Sequence, residues 1–258
     1  MEFMIPSRYD LYYFQVEAKK HFQRASPMRL VRVYPHISPD QEVVIRRADY
    51  GSLLDIKCSK LFPELCKFLM ESFDPVSCKL VFPGRGAIPV TEPSVQEVLG
   101  LPRGNKDVRY ELDAEAIDFM SKEFGKTGSK QPLLTSLETK LVAMKKADSR
   151  FLRLFIAYGL SAVVAPTTGR HISPRLYPSL VNIKEASKLN ICKFVITMLC
   201  EAAGSKTDKA ILKSCMLYFM VIIHALHQKH FIFCILSSTH VALFLHLDFL
   251  LISSFFLL

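Results

Sequence analysis

Three histidines, His224, His227 and His230, lie in the run HALHQKH at spacing i, i+3, i+6. On a helix they would approach one face, and imidazole is a common zinc ligand. No carboxylate or thiolate stands at a matching position, so the run reads as a chance cluster and no metal site is expected. The seven cysteines, Cys58, Cys66, Cys78, Cys192, Cys200, Cys215 and Cys234, contain no C-x-x-C pair. Their odd number, with no apolar leader core in MEFMIPSRYDLYYFQ, indicates a reducing compartment and free thiols. Cys58/Cys66 and Cys192/Cys200 are each eight apart, which repeats on one helix face and predicts buried packing. A Cys192–His171 nucleophilic pair has no motif behind it. Gly84-Arg85-Gly86 reads as a turn, and neither G-x-x-x-x-G-K-[ST] nor G-x-G-x-x-G occurs. The sequence therefore offers no catalytic residue, no cofactor site and no small-molecule substrate.

Charge is the stronger signal. The chain carries a formal net charge of +9. Between residues 140 and 193, ten cations face only Asp148 and Glu185, a local net charge of +8. A concentrated positive field favours phosphate backbones or acidic protein surfaces. Lys145, Lys146, Arg150 and Arg153 in one helical region, with Arg170 and Arg175 on the following loop, form the candidate nucleic-acid contact set. The opposing reading makes these residues solvated helix faces. Aromatic interleaving is limited to Tyr177, and no known DNA-reading motif occurs.

The elements that must position these residues are mostly helical. Residues 1–45 form a Pro-punctuated lead-in with β-leaning runs LVRVYP and EVVIR. In KLFPELCKFLMESF, Leu61, Leu65, Phe68, Leu69 and Phe73 recur at helical spacing. Two β-prone runs, Cys78–Phe82 and Ala87–Val90, flank Pro83–Gly86 and predict a hairpin. TEPSVQEVLGLP predicts a short helix with Thr91 as N-cap, Pro93 in the first turn and Gly100 as left-handed terminator. Asp113 caps a further helix that stops at Gly125, and Thr135 with Glu138 has capping-box spacing. Asp148 caps SRFLRLFIAYGLSAVV, and APTTGRHISPRLYP is irregular. Asn190 opens a helix in which Ile191, Phe194, Val195, Met198, Leu199 and Ala202 form one apolar stripe ending at Gly204. Asp208 opens a last helix, KAILKSCMLYFMV.

The order of these pieces carries a resemblance. A short β pair leads into PVTEPSVQEVLGLP, followed by FLRLFIAYGLSAVVAPTTGRHISPRLYPSLVNI and an amphipathic helix ending MLCEAAG. Over residues 46–221 this resembles the aminotransferase-like plant mobile domain of transposon-derived plant proteins. The stretch ADYGSLLDIKCSKLFPELCKFLMESFDP looks like its grass-type members, some of which carry a Ulp1-like protease domain downstream. The resemblance implies a nuclear, mainly helical, non-enzymatic protein tied to genome stability, transposon silencing or meristem maintenance, with nucleic acid or chromatin proteins as partners. Typical members contain several tryptophans; this chain has none. The resemblance implies further helices after Met220, so the domain is expected to be cut short there. Despite the family's name, no alternation of long strands and helices is present to house pyridoxal phosphate, and no cofactor is expected.

Residues 222–258 change character. Five of the eight histidines follow Val221, and Phe231–Leu258 has Asp248 as its one formally charged side chain. As a helix that segment would be about 42 Å long, enough to cross roughly 30 Å of hydrocarbon. It lacks a following Lys or Arg and a Trp or Tyr belt. Phe, Leu, Ile, Ser, Cys and Val have uridine-rich codons, and every valine codon begins with the GU of a splice donor. The expectation is intron read-through beginning at Val221; a membrane anchor over 231–258 and a core segment are the alternatives. The predicted fold is thus mainly α: a single helical domain over 46–221 with a small β-hairpin element, truncated at its C-terminal side. Full-length transcripts should splice at the Val221 codon into a longer domain. Abundant polyadenylated messages ending at Leu258 would contradict this.

Overall fold

Residues 151–166 are buried without interruption, and the other elements are arranged around them. The computed structural model describes residues 25–58, 61, 63–84, 86–125, 131–167, 169–205 and 214–225. Its helices are α1 (Pro27–Val33), α2 (Pro39–Arg47), α3 (Pro63–Glu71), α4 (Glu92–Leu99), α5 (Ala114–Phe124), α6 (Leu134–Ala143), α7 (Ser149–Gly159), α8 (Tyr177–Leu180) and α9 (Ile191–Gly204). A further helix, α10, covers residues 216–225. Between α3 and α4 lie β1 (Phe73–Asp74), β2 (Lys79–Phe82) and β3 (Gly86–Pro89), a three-stranded antiparallel sheet in the order β1-β2-β3. The mainly α fold with a small β element is as the sequence predicts, with one short strand added.

From Phe151 onward helix α7 is enclosed on every side, and that stretch is apolar apart from Arg153 and the Tyr158 hydroxyl. Phe151 to Gly159 are all buried, and the chain continues through a π-helical turn, Leu160–Val164, that is equally buried. A helix apolar around its whole circumference belongs in a core. Asp148 starts it by accepting a hydrogen bond from the Phe151 amide at 2.9 Å. At Gly159 a β-carbon would stand 2.8 Å from Leu53 Cδ1, so the missing side chain is what lets the Gly51–Leu54 turn press against the helix.

Four of the predicted caps, Thr91, Asp113, Asp148 and Asn190, are present. Thr91 Oγ1 accepts from the Ser94 amide, Asp113 from Ala116 and Asn190 from Lys193. Gly100 and Gly125 end α4 and α5 in the left-handed region, at φ 59° and 62°. The apolar stripe of α9 is buried throughout, and Phe73 meets Phe219 with ring centroids 5.3 Å apart. In the hairpin, Leu80 pairs with Ile88 and Val81 with Ala87.

Two readings are corrected. LVRVYP and EVVIR lie mostly in α1 and α2 instead of strands. Each helix has a serine before a proline at its first position, and Ser38 and Gln41 exchange side-chain and backbone hydrogen bonds in a capping box. Burial of Leu30 and Val33, and of Gln41 and Ile45, then places helical spacing on the core, overriding the β preference of valine and isoleucine. Helix α6 starts at Leu134, with Thr135 inside it and no side-chain cap. Its first amide is satisfied by the Arg170 carbonyl at 2.9 Å, so no capping box is needed. The proposed cap Asp208 lies outside the described residues.

A strap at residues 102–106 runs beside residues 188–191. Gly104 donates to the Leu189 carbonyl at 3.1 Å and Lys106 to Lys188 at 2.8 Å. A β-carbon on Gly104 would fall 2.0 Å from the Lys188 carbonyl oxygen, whereas one on Gly204 would meet nothing within 4 Å. Gly104→Ala should therefore lose more than about 2 kcal/mol of stability, through forced displacement of the strap. Gly204→Ala should stay within about 0.5 kcal/mol of the parent or gain slightly. Urea denaturation of the two variants checks this.

Candidate functional site

The six basic candidates do not share one face. Two of them, Arg150 and Arg153, gather with Lys140 at the C-terminal end of α5, where the last carbonyls need donors and the helix dipole favours cations. The Glu123 carbonyl accepts from Arg150 Nη2 at 2.7 Å, Arg150 Nε at 3.1 Å and Lys140 Nζ at 3.2 Å. The Phe124 carbonyl accepts from Lys140 Nζ at 2.6 Å. Burial, and then the neighbouring Arg150 charge, push the Lys140 ammonium below its ordinary pKa. Two consecutive helices, α6 and α7, thus deliver cations to one helix terminus.

Arg153 is the most committed of them. It belongs to the buried α7, with 8% of its surface accessible. Nη1 pairs with Glu123 Oε2 at 2.7 Å, Nε donates to the Leu180 carbonyl at 3.0 Å and Nη2 to Val181 at 3.3 Å. Its guanidinium carbon lies 4.9 Å from the centre of the Phe119 ring. A group so enclosed cannot reach a phosphate without unpacking α5 and α8, and its expected contact role is corrected to an internal one.

Lys145 and Lys146 are different. Both are exposed, on the loop joining α6 to α7. The loop backbone is held by Gln41, whose Nε2 donates to the Met144 carbonyl at 3.0 Å and to Lys146 at 3.4 Å. Gln41 is itself 1% accessible, so a buried amide fixes the main chain while two ammonium groups project outward. Neither lysine has an acidic partner within ion-pair distance among the described residues.

Arg170 and Arg175 stand apart from that loop. Arg170 is exposed at φ 57°, and its carbonyl receives the Leu134 amide. It therefore sits at the opposite end of α6 from Lys145, about 15 Å away at 1.5 Å per residue. Arg175 lies 5.7 Å over the Tyr110 ring, and its carbonyl accepts from the Glu111 amide at 3.1 Å. That places it near the start of α5, while Arg150 is at its end. The structure brings Arg150 and Arg153 together at Glu123, keeps Lys145 and Lys146 as an exposed pair nearby in the chain, and separates Arg170 and Arg175.

Other chemistry weighed on the sequence is also placed. Cys192 is buried, donates to the Leu101 carbonyl at 3.3 Å and has its pKa pushed up to about 11, chiefly by burial. His171 Nδ1 is 2.9 Å from the Gln131 carbonyl, so the two side chains have separate partners. Of the histidine run, only His224 lies within the described residues. Sequence reading missed Gln41, Lys140 and Glu123; the Ser38-to-Gln41 spacing was the one available signal. It also missed an apolar cavity of about 320 Å³ lined by Leu53, Ile56, Val98, Val163, Leu217 and Val221, whose parts are too distant in sequence to leave a local pattern.

The internal and external cations should separate by experiment. Arg153→Ala should cost about 3 kcal/mol, because it strands Glu123 and two carbonyls beside a buried void. Lys145→Ala with Lys146→Ala should alter stability by less than about 0.5 kcal/mol. Chemical denaturation of both variants measures the contrast.

No helix among the described residues is long and apolar enough to cross a membrane, and the segment 231–258 lies outside them. No curated protein and no solved structure matches the chain. A family model does, over residues 23–220, so it takes in α1 and α2, upstream of the boundary expected at residue 46, and stops one residue before Val221. With most of its length inside that match, this chain belongs to the family described as a domain of unknown function (DUF8566).

Proposed function

We propose that this domain is a non-enzymatic, transposon-derived module of the plant mobile domain type that acts in the nucleus and associates with nucleic acid or chromatin. The observation that carries the contact is the Lys145–Lys146 loop, two exposed ammonium groups on a main chain fixed by the buried Gln41. A fixed loop loses little entropy when its lysines engage phosphate, and a chain with a net charge of +9 adds long-range attraction. Arg150 adds to this contact only through its exposed surface, since its guanidinium already bonds Glu123. The plant mobile domain, transposon and nuclear parts of the reading rest on the resemblance over residues 46–221. Sequence-independent contact to the backbone is the expected mode.

A second reading, a protein-interaction module or inert mobile-element remnant, is favoured by one observation: Lys140, Arg150 and Arg153 neutralise the end of α5, leaving much of the basic segment committed internally. A membrane-tethered form of either depends on residues 231–258.

Fluorescence anisotropy of a labelled DNA duplex with the full chain, over about 50 to 200 mM salt, distinguishes these readings. The phosphate reading expects the Lys145→Ala/Lys146→Ala variant to bind more weakly, with its log–log salt slope shallower by about 1.8, two phosphate contacts at about 0.9 each. Absence of binding at the lowest salt, or an unchanged slope, rejects that reading and leaves the protein-interaction module.

A further inference from the structure

Two thiols that no local motif relates face each other across the sheet–helix junction. Cys78 Sγ and Cys200 Sγ are 3.6 Å apart, although 122 residues separate them. Both are half-buried free cysteines. Each sulfur also lies 3.7 Å from the Pro75 carbonyl oxygen, so one acceptor holds the two thiols in register. The turn between β1 and β2 is braced by Asp74, whose carboxylate accepts from the Val76 and Ser77 amides at 3.0 and 3.3 Å. Cys78 ends that turn at φ 49°, a left-handed conformation that glycine or asparagine would adopt at lower cost. A cysteine held there, against a second cysteine on α9, is an unusual expense for packing alone.

We propose that Cys78 and Cys200 are a redox-modifiable dithiol that reacts with small-molecule disulfides to form an internal disulfide joining the sheet to α9. Bonding needs the sulfurs to close from 3.6 Å to about 2.05 Å. One protein thiolate attacks a sulfur of the small disulfide, breaking its S–S bond and releasing one small thiol. The second protein thiolate attacks the mixed disulfide and expels the other. Two electrons pass from the protein sulfurs to the small disulfide, and the two thiol protons end on the two released thiols. Burial, with the adjacent Cys78 sulfur, pushes the Cys200 thiol up, so attack by Cys200 accelerates with alkali. The other described cysteines have different surroundings: Cys192 bonds the Leu101 carbonyl and Cys66 meets the Met220 sulfur at 3.6 Å.

The full chain, equilibrated with oxidised glutathione, alkylated and mapped by mass spectrometry without reduction, tests this. The expected result is a Cys78–Cys200 cross-linked peptide, with a thermal midpoint about 5–10 °C above that of the reduced protein, as closure of so long a loop implies. Cys78→Ser should keep the reduced midpoint and lose the oxidative rise. Full alkylation of both cysteines after equilibration, a stable glutathione adduct on Cys78 with no cross-link, or linkage to other cysteines would each overturn the proposal. The peptide map decides the matter even where Cys200→Ser folds poorly.

Discussion

A helix enclosed on all sides must satisfy every polar group it carries inside the protein, and α7 carries few. Arg153 and Tyr158 are the two that reach furthest. Arg153 bonds Glu123 and the Leu180 and Val181 carbonyls, tying α7 to α5 and α8. Tyr158 Oη lies 2.8 Å from the Arg29 carbonyl and 3.1 Å from Glu138, tying α7 to α1 and α6. Desolvating these groups would cost several kcal/mol without partners, so the surrounding helices are held in the positions that supply them. Directional bonds from a non-directional core thus select this arrangement among many apolar packings.

The same logic redistributes the chain's charge. A net +8 over residues 140–193 resembles an external field when read along the sequence. In three dimensions Lys140, Arg150 and Arg153 spend their charge on the end of α5. Lys193 pairs with Asp107, and Lys106 and Lys188 share Glu185. What remains outward is narrower: the adjacent pair Lys145 and Lys146, with Arg170, Arg175 and Lys184 exposed elsewhere. Charge density in sequence measures supply; the partners determine how much is left for a ligand.

Features set within a few residues were legible. Thr91, Asp113, Asp148 and Asn190 were readable as caps because a cap needs only its own helix's first turn, and Gly100 and Gly125 as terminators because positive φ is a local demand. The α9 stripe and the hairpin were readable from periodicity. The helicity of 27–47 was not, because valine-rich runs favour strands until tertiary burial overrules them. Nor was the start of α6, whose first amide is satisfied by Arg170, 36 positions along the chain. Within the site, composition identified the cations but could not separate an enclosed guanidinium such as Arg153 from an exposed ammonium such as Lys146, since both are just basic residues in a helical segment.

The Tyr158–Arg29 contact spans 129 residues, Gln41 to Met144 spans 103 and Tyr50 to Ala186 spans 136. Helices α1 and α2 are therefore made long before the partners that bury them. At about 5–20 residues per second, a nascent chain waits on the order of ten seconds between Leu30 and α7. Until then α1 and α2 lack those partners, and short helices of this length are marginal alone. The N-terminal helices are thus first in synthesis, yet the bonds that fix them wait for partners 129 and 103 positions further along the chain.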